Sequence, residues 1–375
     1  MRHGQLGDFV QFAYGKGLPA RDRKPGLVPV FGSAGCVDTH DVALVKGPGV
    51  IVGRKGTVGA VHWSDSDFYP IDTTYYVLPK DTHLRLRYVY YLLKTLPLPS
   101  MNTDVAVPGL NRTNALSLKV AIATPSTQDR IIDTLNAYDD LIENNRRRIQ
   151  LLEQAARLLY QEWFVHLCYP GHEHVKIKDG VPEGWEKAPI SNFCTVGRGG
   201  SPRPINDYLD GTVPWFKIGD ATASESPFVF STAEKIIEDG VKKSVMLQPL
   251  ELILSNSATC GIPYFTGITG CIHDGWLYFK QLKRISKWFF YCCLFEKQRE
   301  ILAGIGEGAT QKNLNTDYIG RQIVLLPKEQ GLLAAFDDTV EPLFSQIFTL
   351  AHANIKLSQA RGLLLPRLMN GEVAV

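Results

Sequence analysis

"ENNRRRIQLLEQAARLLYQEWF", residues 143–164, consists largely of good helix formers and contains neither Gly nor Pro. On both sides of it the sequence changes to short β-branched and aromatic runs that Gly and Pro interrupt. Runs of this kind are typical of strands joined by tight turns. The stretch therefore predicts a long helix between two strand-rich regions, and we expect an α+β chain.

A length of 375 residues predicts two or three hydrophobic cores. With 45% hydrophobic and 21% charged residues, the composition is typical of a globular protein. The net charge is only +2, so a nucleic-acid surface requires clustering of the 40 Lys and Arg residues. No apolar run reaches the ~18 residues of a membrane span, and the first residues lack an apolar signal core. The seven scattered Cys are expected to be reduced thiols, so we expect a cytoplasmic protein without a membrane partner.

The chain contains a degenerate internal repeat. "GLVPVFGSAG" (26–35) resembles "GTVPWFKIGD" (211–220), and "YVYYLLKT" (88–95) resembles "WFFYCCLFEK" (288–297). "GLNRTNALSLKVAIATPS" (109–126) resembles "NLNTDYIGRQIVLLPKEQ" (313–330), and a helical pattern follows each copy. The period is much longer than the ~20–50 residues of a solenoid unit. The repeat therefore indicates a duplicated globular domain, each copy followed by a helix.

Both helical tails carry a heptad stripe in the same frame of the repeat. The stripe of the first tail consists of Ile131, Leu135, Tyr138, Ile142, Asn145, Ile149, Leu152, Ala156, Leu159 and Trp163. The stripe of the second tail consists of Phe336, Val340, Leu343, Ile347, Leu350, Asn354, Leu357, Arg361, Leu364 and Leu368. Each stripe thus contains a single Asn, at Asn145 and at Asn354.

Two interpretations of the stripes are open. Each helix could pack only on its own domain, or the two helices could pair antiparallel. The shared frame and the matching Asn residues favour the pair, because one polar pair fixes a register and an unpaired buried amide costs about 1–3 kcal/mol. The predicted register pairs these residues: Ile131 with Leu368, Trp163 with Phe336 and Asn145 with Asn354.

Two prolines complicate the second helix, because a proline inside a helix removes one hydrogen bond and clashes with the preceding turn. Pro342 and Pro366 both fall within the second stripe. Since proline is favoured at the first helical position, Pro342 is predicted to mark the first turn of this helix. The residues "FDDTV" (336–340) would then form a separate turn before it.

Four stretches together resemble the DNA-specificity subunit of type I restriction–modification systems. "GWEKAPISNFCTVGRGGSPRP" (184–204) resembles the opening of a target recognition domain of that family. "GEGATQKNLNTDYIGRQIVLLPKEQGLLAAFDDTVEPL" (306–343) resembles its closing stretch, running into a spacer helix. "LLEQAARLLYQEWF" (151–164) and "LLPRLMNGEV" (364–373) resemble the ends of the two spacer helices. The resemblance covers nearly the whole chain.

The resemblance implies two similar strand-rich target recognition domains joined by two long antiparallel helices in a pseudo-two-fold arrangement. The domains would be residues 1–126 and 167–328, and the spacer helices residues 127–166 and 329–375. It also implies a non-catalytic subunit that reads a bipartite target in double-stranded DNA. Its partners would be two adenine methyltransferase subunits and, in the full complex, restriction subunits that translocate DNA.

The first domain departs from the family pattern. It lacks the Gly-Trp pair that precedes the second domain as Gly184 and Trp185. It also has "AVPGLN" (106–111) where the second domain has "ATQKNL" (309–314). The two domains are therefore expected to bind DNA differently, or the first to have drifted from the function.

None of the common catalytic or cofactor motifs is recognisable in the sequence. The sequence contains no G-x-x-x-x-G-K-[ST] phosphate loop and no Asn/Asp-Pro-Pro-Tyr/Phe motif of amino-methyltransferases, so no cofactor is expected. Cys168, His172 and His174 lack a fourth ligand at zinc spacing, and we interpret them as an exposed linker. The alternative to DNA recognition is a coiled-coil scaffold that binds proteins and has no DNA specificity.

Lys and Arg recur in Gly-rich loops of both repeats, where a cation and backbone amides can approach phosphates. For each single residue, the alternative is a solvated loop charge. Arg is the usual bidentate reader of guanine, and amide side chains can read adenine. The predicted DNA-binding residues are Lys16, Arg21, Arg23, Lys24, Arg54, Lys55, Arg198, Arg203, Lys217, Lys242, Lys243, Gln311, Lys312 and Asn313.

The predicted helix pair has a length that can be compared with DNA. From Ile131 to Trp163, a rise of ~1.5 Å per residue gives about 48 Å, or about 14 base pairs. Matched heptads inserted after Glu153 in the first helix and after Ser345 in the second are expected to lengthen the pair and the spacer of the target.

Overall fold

The structure is a computed structural model that describes residues 1–101, 109–257, 259–304 and 314–374. The chain divides into two compact units. The first unit consists of residues 1–141 and 357–375, and the second of residues 142–356. Strands and helices occur in both, which confirms the prediction of an α+β chain.

The first unit contains nine strands and the first three helices among its described residues. Its strands are β1 (Arg2–Gln5), β2 (Val10–Tyr14), β3 (Val28–Gly32), β4 (Gly35–His40), β5 (Gly49–Gly53), β6 (Val61–Ser64), β7 (Tyr69–Pro70), β8 (Thr74–Pro79) and β9 (Lys119–Ile122). Its helices are α1 (Leu6–Phe9), α2 (Leu86–Thr95) and α3 (Arg112–Leu116). The strands form an antiparallel sheet β2-β8-β5-β6, a sheet β4-β3-β7 and a pair β1-β9.

A long helix, α4 (Pro125–Tyr160), continues from the first unit into the second and is followed by a π-helical turn, Gln161–Val165. The next strands are β10 (Ile177–Lys178), β11 (Val181–Pro182), β12 (Trp185–Pro189), β13 (Thr195–Arg198), β14 (Leu209–Phe216), β15 (Phe228–Val229), β16 (Glu234–Ile236), β17 (Val245–Leu247), β18 (Leu252–Ser255), β19 (Pro263–Thr266), β20 (Gly270–Ile272), β21 (Trp276–Lys280) and β22 (Ile323–Pro327). The remaining helices are α5 (Ile218–Thr222), α6 (Glu238–Val241), α7 (Lys287–Glu296), α8 (Gln298–Ala303), α9 (Thr316–Gly320) and α10 (Gln330–Met369).

The sheets of the second unit repeat those of the first with additions. They have the strand orders β13-β21-β18-β19-β15 and β16-β14-β20-β17, with two further pairs, β12-β22 and β10-β11. In each unit one parallel pair joins equivalent strands. In β3 and β7, Phe31 lies opposite Pro70, and in β14 and β20, Phe216 lies opposite Ile272. The internal repeat is therefore present in the strand pairing of each unit.

Helices α4 and α10 pair antiparallel in the predicted register. In the second unit, Asn145 Nδ2 donates to Asn354 Oδ1 at 2.9 Å, and the rings of Trp163 and Phe336 lie with centroids 6.0 Å apart. In the first unit, Ile131 and Leu368 are buried in one hydrophobic cluster. All twenty positions of the two predicted stripes are buried or half-buried. The heptad frame and its register are therefore confirmed.

The expectation for Pro342 is wrong. Helix α10 begins at Gln330 and runs through Pro342 and Pro366 without a break. Both prolines are exposed, and so are Asp338 and Gly362, the residues whose carbonyl groups would have accepted the missing hydrogen bonds. Water can satisfy those carbonyl groups, so the prolines interrupt the hydrogen bonding on the outer face only. In the part of the chain that the structure describes, no helix is long and apolar enough to span a bilayer.

We expect the Asn145–Asn354 pair to show strong coupling in a double-mutant cycle. Asn145→Leu leaves the buried Asn354 side-chain oxygen without its donor, and should lower the free energy of unfolding by about 1–3 kcal/mol. The double variant Asn145→Leu, Asn354→Leu removes both amides and should recover most of that loss. Asn144→Leu, at an exposed neighbouring position, is the control and should change stability by less than about 0.5 kcal/mol. Urea unfolding measures these three variants and Asn354→Leu beside the wild type, and independent, additive losses would contradict the pairing.

Candidate nucleic-acid interface

Three of the predicted cations meet at one edge of the second unit. Arg198 ends β13, Arg203 lies in the loop that follows, and Lys217 follows β14. Because β14 runs parallel to β20, the residues that follow both strands meet at the same edge, which places Lys217 near His273 and Asp274. Arg198 Nε donates to the Asp274 carbonyl oxygen at 2.8 Å, and the Arg203 guanidinium lies 3.8 Å from the Asp274 carboxylate. We call these five residues the Asp274 cluster.

His273 is held in the Asp274 cluster by its ring. The ring lies 5.1 Å from that of Trp215, and its Nδ1 accepts a hydrogen bond from the Gly275 N–H at 2.8 Å. Burial lowers the pKa of His273, and the charges of Lys217, Arg203 and Arg198 lower it further, while Asp274 acts in the opposite direction. The imidazole is therefore neutral at pH 7, and the positive charge of the cluster comes from its Lys and Arg side chains.

The other predicted lysines of the second unit differ in how firmly they are held. Lys217 pairs with the Glu234 carboxylate and lies 4.9 Å from the centre of the Trp215 ring. Lys243 lies 4.6 Å from the centre of the Tyr208 ring and donates to its hydroxyl. Lys242 pairs at 3.0 Å with Asp239 and stays 80% exposed.

Backbone packing brings the Lys243 segment to the Gly-rich loop after β13. A Cβ atom at Gly200 would come within 2.5 Å of the Lys243 carbonyl oxygen. Only Gly permits this approach without a shift of the neighbouring backbone. The Gly-rich loop after β13 and the segment that carries Lys243 are therefore adjacent in the fold, although they are far apart in sequence.

In the first unit, two guanidinium groups lie on one tyrosine ring. Arg54 and Arg112 lie 5.3 Å and 5.0 Å from the centre of the Tyr14 ring, and the Tyr75 ring is 5.1 Å away. We call these four residues the Tyr14 cluster. Tyr14 is 49% exposed, so the cluster is open to solvent. Cation–π contacts of this kind restrict the two side chains.

Tyr75 is the buried member of the Tyr14 cluster. Its hydroxyl donates to the Leu110 carbonyl oxygen at 3.0 Å. Burial raises the pKa of Tyr75 to about 12, and the neighbouring Tyr14 raises it as well, against the opposing charges of Arg54 and Arg112. Tyr75 is therefore a neutral hydrogen-bond donor over the physiological pH range, and the cluster carries the full charge of two guanidinium groups.

Arg112 is not among the residues predicted from the sequence, which were chosen from Gly-rich and polar loops. It is the first residue of α3, directly after Asn111, whose side chain caps the helix by accepting from the N–H groups of Thr113 and Asn114. An Asn directly before a helix-forming run is a sequence signal for a helix start, so Arg112 could have been placed at the first helical position from the sequence. Arg112 also lines an open depression of about 490 Å³ together with Gln5 and Gln11.

The remaining predicted residues of the first unit lie at varied positions. Lys16, Arg21, Lys24 and Lys55 are exposed. Arg23 differs, because its side chain is only 16% exposed and its guanidinium contacts the Asp38 carboxylate at 3.1 Å and the Leu18 carbonyl oxygen at 3.4 Å. These contacts hold its own loop in place. Gln311, Lys312 and Asn313 lie outside the described residues.

The segment with Cys168, His172 and His174 shows local contacts. His172 Nδ1 lies 2.7 Å from the Tyr169 carbonyl oxygen, and His174 lies 3.7 Å from the Glu173 carboxylate. Over residues 1–101, 109–257, 259–304 and 314–374, no three His, Cys, Asp or Glu side chains are grouped so that they could hold a metal ion.

The chain is similar to known proteins over most of its length. Residues 2–154 match the family described as "Type I restriction modification DNA specificity domain". The specificity subunit of the type I restriction enzyme MjaIX of Methanocaldococcus jannaschii is 25% identical over 315 residues, covering 80% of this chain and 71% of the relative. Residues 2–154 thus match a type I DNA specificity domain, and the chain as a whole is similar to the specificity subunits of type I restriction–modification systems.

Two further proteins show the same similarity. The HindI specificity subunit of Haemophilus influenzae is 21% identical over 387 residues, covering 83% of this chain and 82% of the relative. The crystal structure of a type I restriction–modification S subunit from M. genitalium has the same fold, with a TM-score of 0.60 at 16% identity. It covers 98% of this chain and 96% of the other. The family that residues 2–154 match is thus a DNA specificity domain, in agreement with the fold of the S subunit.

Proposed function

We propose that this chain reads a bipartite target in double-stranded DNA, one half with each domain. The observation that carries the proposal is the duplication of one hydrogen-bonded framework, with cations clustered at an edge of each copy. A single domain of this size reads a short sequence, and two linked domains read two short sequences with the combined affinity of both. The Asp274 and Tyr14 clusters provide the charge that each half requires.

We assign residues 1–126 and 167–328 to the two target recognition domains, and residues 127–166 and 329–375 to the spacer helices. The proposed DNA-contacting residues are those predicted from the sequence, together with Arg112. Within this set, the exposed ammonium groups of Lys16 and Lys55 suit phosphates, because a phosphate contact requires charge more than fixed geometry.

The proposed partners are adenine methyltransferase subunits and, in the full complex, restriction subunits. Two methyltransferase subunits are proposed because the chain offers two equivalent domains, each followed by a helix. The complex would act in the cytoplasm, on chromosomal or incoming DNA. The paired helices α4 and α10 would set the spacer between the two halves of the target, since each helix runs from residues of one unit into residues of the other.

The test is binding of the co-purified methyltransferase complex to duplex DNA at several salt concentrations, combined with methylation mapping of the expression host. Each neutralised phosphate should contribute about −0.9 to the slope of log K against log salt. We expect a steep slope and a methylated motif in two parts separated by unspecified bases. A coiled-coil scaffold without DNA specificity predicts neither. A slope near zero, or methylation without a motif, would contradict the proposed function.

A further inference from the structure

The Tyr14 and Asp274 clusters occupy the same place in the two copies of the framework. After β2, the Gly15 N–H donates to the Thr74 carbonyl oxygen at 3.1 Å. After β13, the Gly199 N–H donates to the Trp276 carbonyl oxygen at 2.9 Å. The residue before each Gly ends its strand, so Tyr14 in the first unit and Arg198 in the second are equivalent.

A second set of hydrogen bonds makes Arg54 equivalent to Asn256. The N–H groups of these two residues donate at 2.9 Å to the carbonyl oxygens of Thr73 and Gly275. Their own carbonyl oxygens accept at 2.8 Å from Leu110 and at 3.0 Å from Leu314. The framework at this edge is therefore the same in both units, down to individual hydrogen bonds.

The start of the following helix extends the equivalence to Arg112. Asn111 caps α3, and Asn315 caps α9 by accepting from the Tyr318 N–H at 2.7 Å. The first helical residue is Arg112 in one unit and Thr316 in the other. Three equivalent positions thus carry Tyr, Arg and Arg in the first unit, and Arg, Asn and Thr in the second. Two surfaces that read different bases are expected to share their backbone framework and to differ in the side chains at these positions.

Buried polar atoms at these equivalent positions lack partners. Arg54 Nε and Asn256 Oδ1 are both shielded from solvent and form no hydrogen bond with the described residues. Unsatisfied buried polar atoms are rare in folded proteins, and each calls for an explanation such as strain, a bound water or ion, or a functional role. Their presence at the same position of both copies marks this edge, independently of its charge.

We propose that Arg112, stacked with Arg54 on Tyr14, determines specificity by reading a guanine in the half-site of the first domain. This inference rests on the proposed function. A guanidinium held on a ring loses little further freedom on binding, and its fork matches O6 and N7 of guanine in the major groove. The flexible ammonium groups of Lys16 and Lys55 flank the cluster and suit the phosphates.

The experiment is methylation mapping of host DNA after co-expression of the Arg112→Lys variant with the methyltransferase subunit. Lysine keeps the charge but loses the bidentate fork, so one G·C pair in one half of the motif should lose about 5- to 150-fold of its discrimination. The other half should not change. Tyr14→Leu removes the ring without changing a charge, and should relax the same base pair. Arg85→Lys, at an exposed Arg paired with Asp129, is the matched control and should leave the motif unchanged.

Two results would overturn the inference while leaving the proposed function intact. One is that the Arg112→Lys complex methylates the wild-type motif with unchanged discrimination at every position. The other is normal reading by Arg112→Lys while Arg112→Ala weakens binding to all duplexes alike and reduces the salt slope, which marks a phosphate contact. A wild-type complex that methylates no motif would contradict the proposed function itself, and this inference with it.

Discussion

Phe336→Ala is expected to lower the free energy of unfolding by about 3–5 kcal/mol, the usual cost of removing a buried aromatic side chain. Phe336 is fully buried where α10 meets the end of α4. Its ring centroid lies 5.2 Å from that of Phe164, 6.0 Å from that of Trp163 and 6.0 Å from that of Phe289. The substitution therefore leaves a cavity between the helix pair and the core of the second unit, which neighbouring rings cannot fill without leaving their own contacts.

Urea unfolding followed by tryptophan fluorescence measures this effect in the second unit, because five of the six Trp lie within residues 142–356. Leu151→Ala is the control, since Leu151 lies on α4 but is 64% exposed, and we expect a change below about 0.5 kcal/mol. A loss of less than about 1 kcal/mol for Phe336→Ala would show that the helix end is not part of this core.

The helix pair could be predicted in detail because its information is local and periodic. A heptad stripe in each tail and one Asn per stripe define a register, and only one register lets Asn145 face Asn354. Burial of a polar group is costly enough to select that register over its neighbours. The prediction for Pro342 was wrong because it did not consider on which face of the helix the proline lies. An exposed proline costs much less than one whose freed carbonyl group is buried.

The candidate DNA-binding edge could be predicted only in part, because its members meet through strand pairing. Lys217 reaches His273 because β14 runs parallel to β20, a pairing over a sequence distance that periodicity cannot reveal. Arg112 reaches Tyr14 only after the first unit has folded. The cations were predicted from their neighbours in the chain, so Arg23, whose guanidinium contacts Asp38 in its own loop, was not distinguished from the exposed cations, and Arg112 was not included.

The site chosen from the sequence for lengthening the helices also requires correction. Ile149 and Ala156, on either side of Glu153, are buried in the core of the second unit, and the Tyr291 hydroxyl donates to the Glu153 carboxylate at 2.8 Å. A heptad inserted after Glu153 would displace part of α4 from its packing contacts with that core. The stripe alone could not predict this, because it indicates only which residues face the partner helix. It does not indicate which of them also pack against the core of the second unit.

A matched insertion at the border between the units avoids the damage. One heptad between Leu141 and Ile142 in α4 and one between Leu357 and Ser358 in α10 fall at facing positions of the confirmed register. The Asp139–Arg361 ion pair stays on one side of the insertions, and the Asn145–Asn354 pair on the other. Leu at the stripe positions of each heptad keeps the apolar seam in frame.

If the paired helices set the spacer, the complex with both insertions should methylate a motif whose two halves are unchanged but lie about three base pairs further apart. Seven residues add about 10 Å of helix, and a duplex rises ~3.4 Å per base pair. The control is a heptad in α4 alone, which shifts Ile131 and Asn145 against their partners by two turns and should abolish methylation. Methylation mapping of both variants beside the wild type decides the question. An active complex with both insertions and an unchanged spacer would show that the helices do not determine the distance between the half-sites.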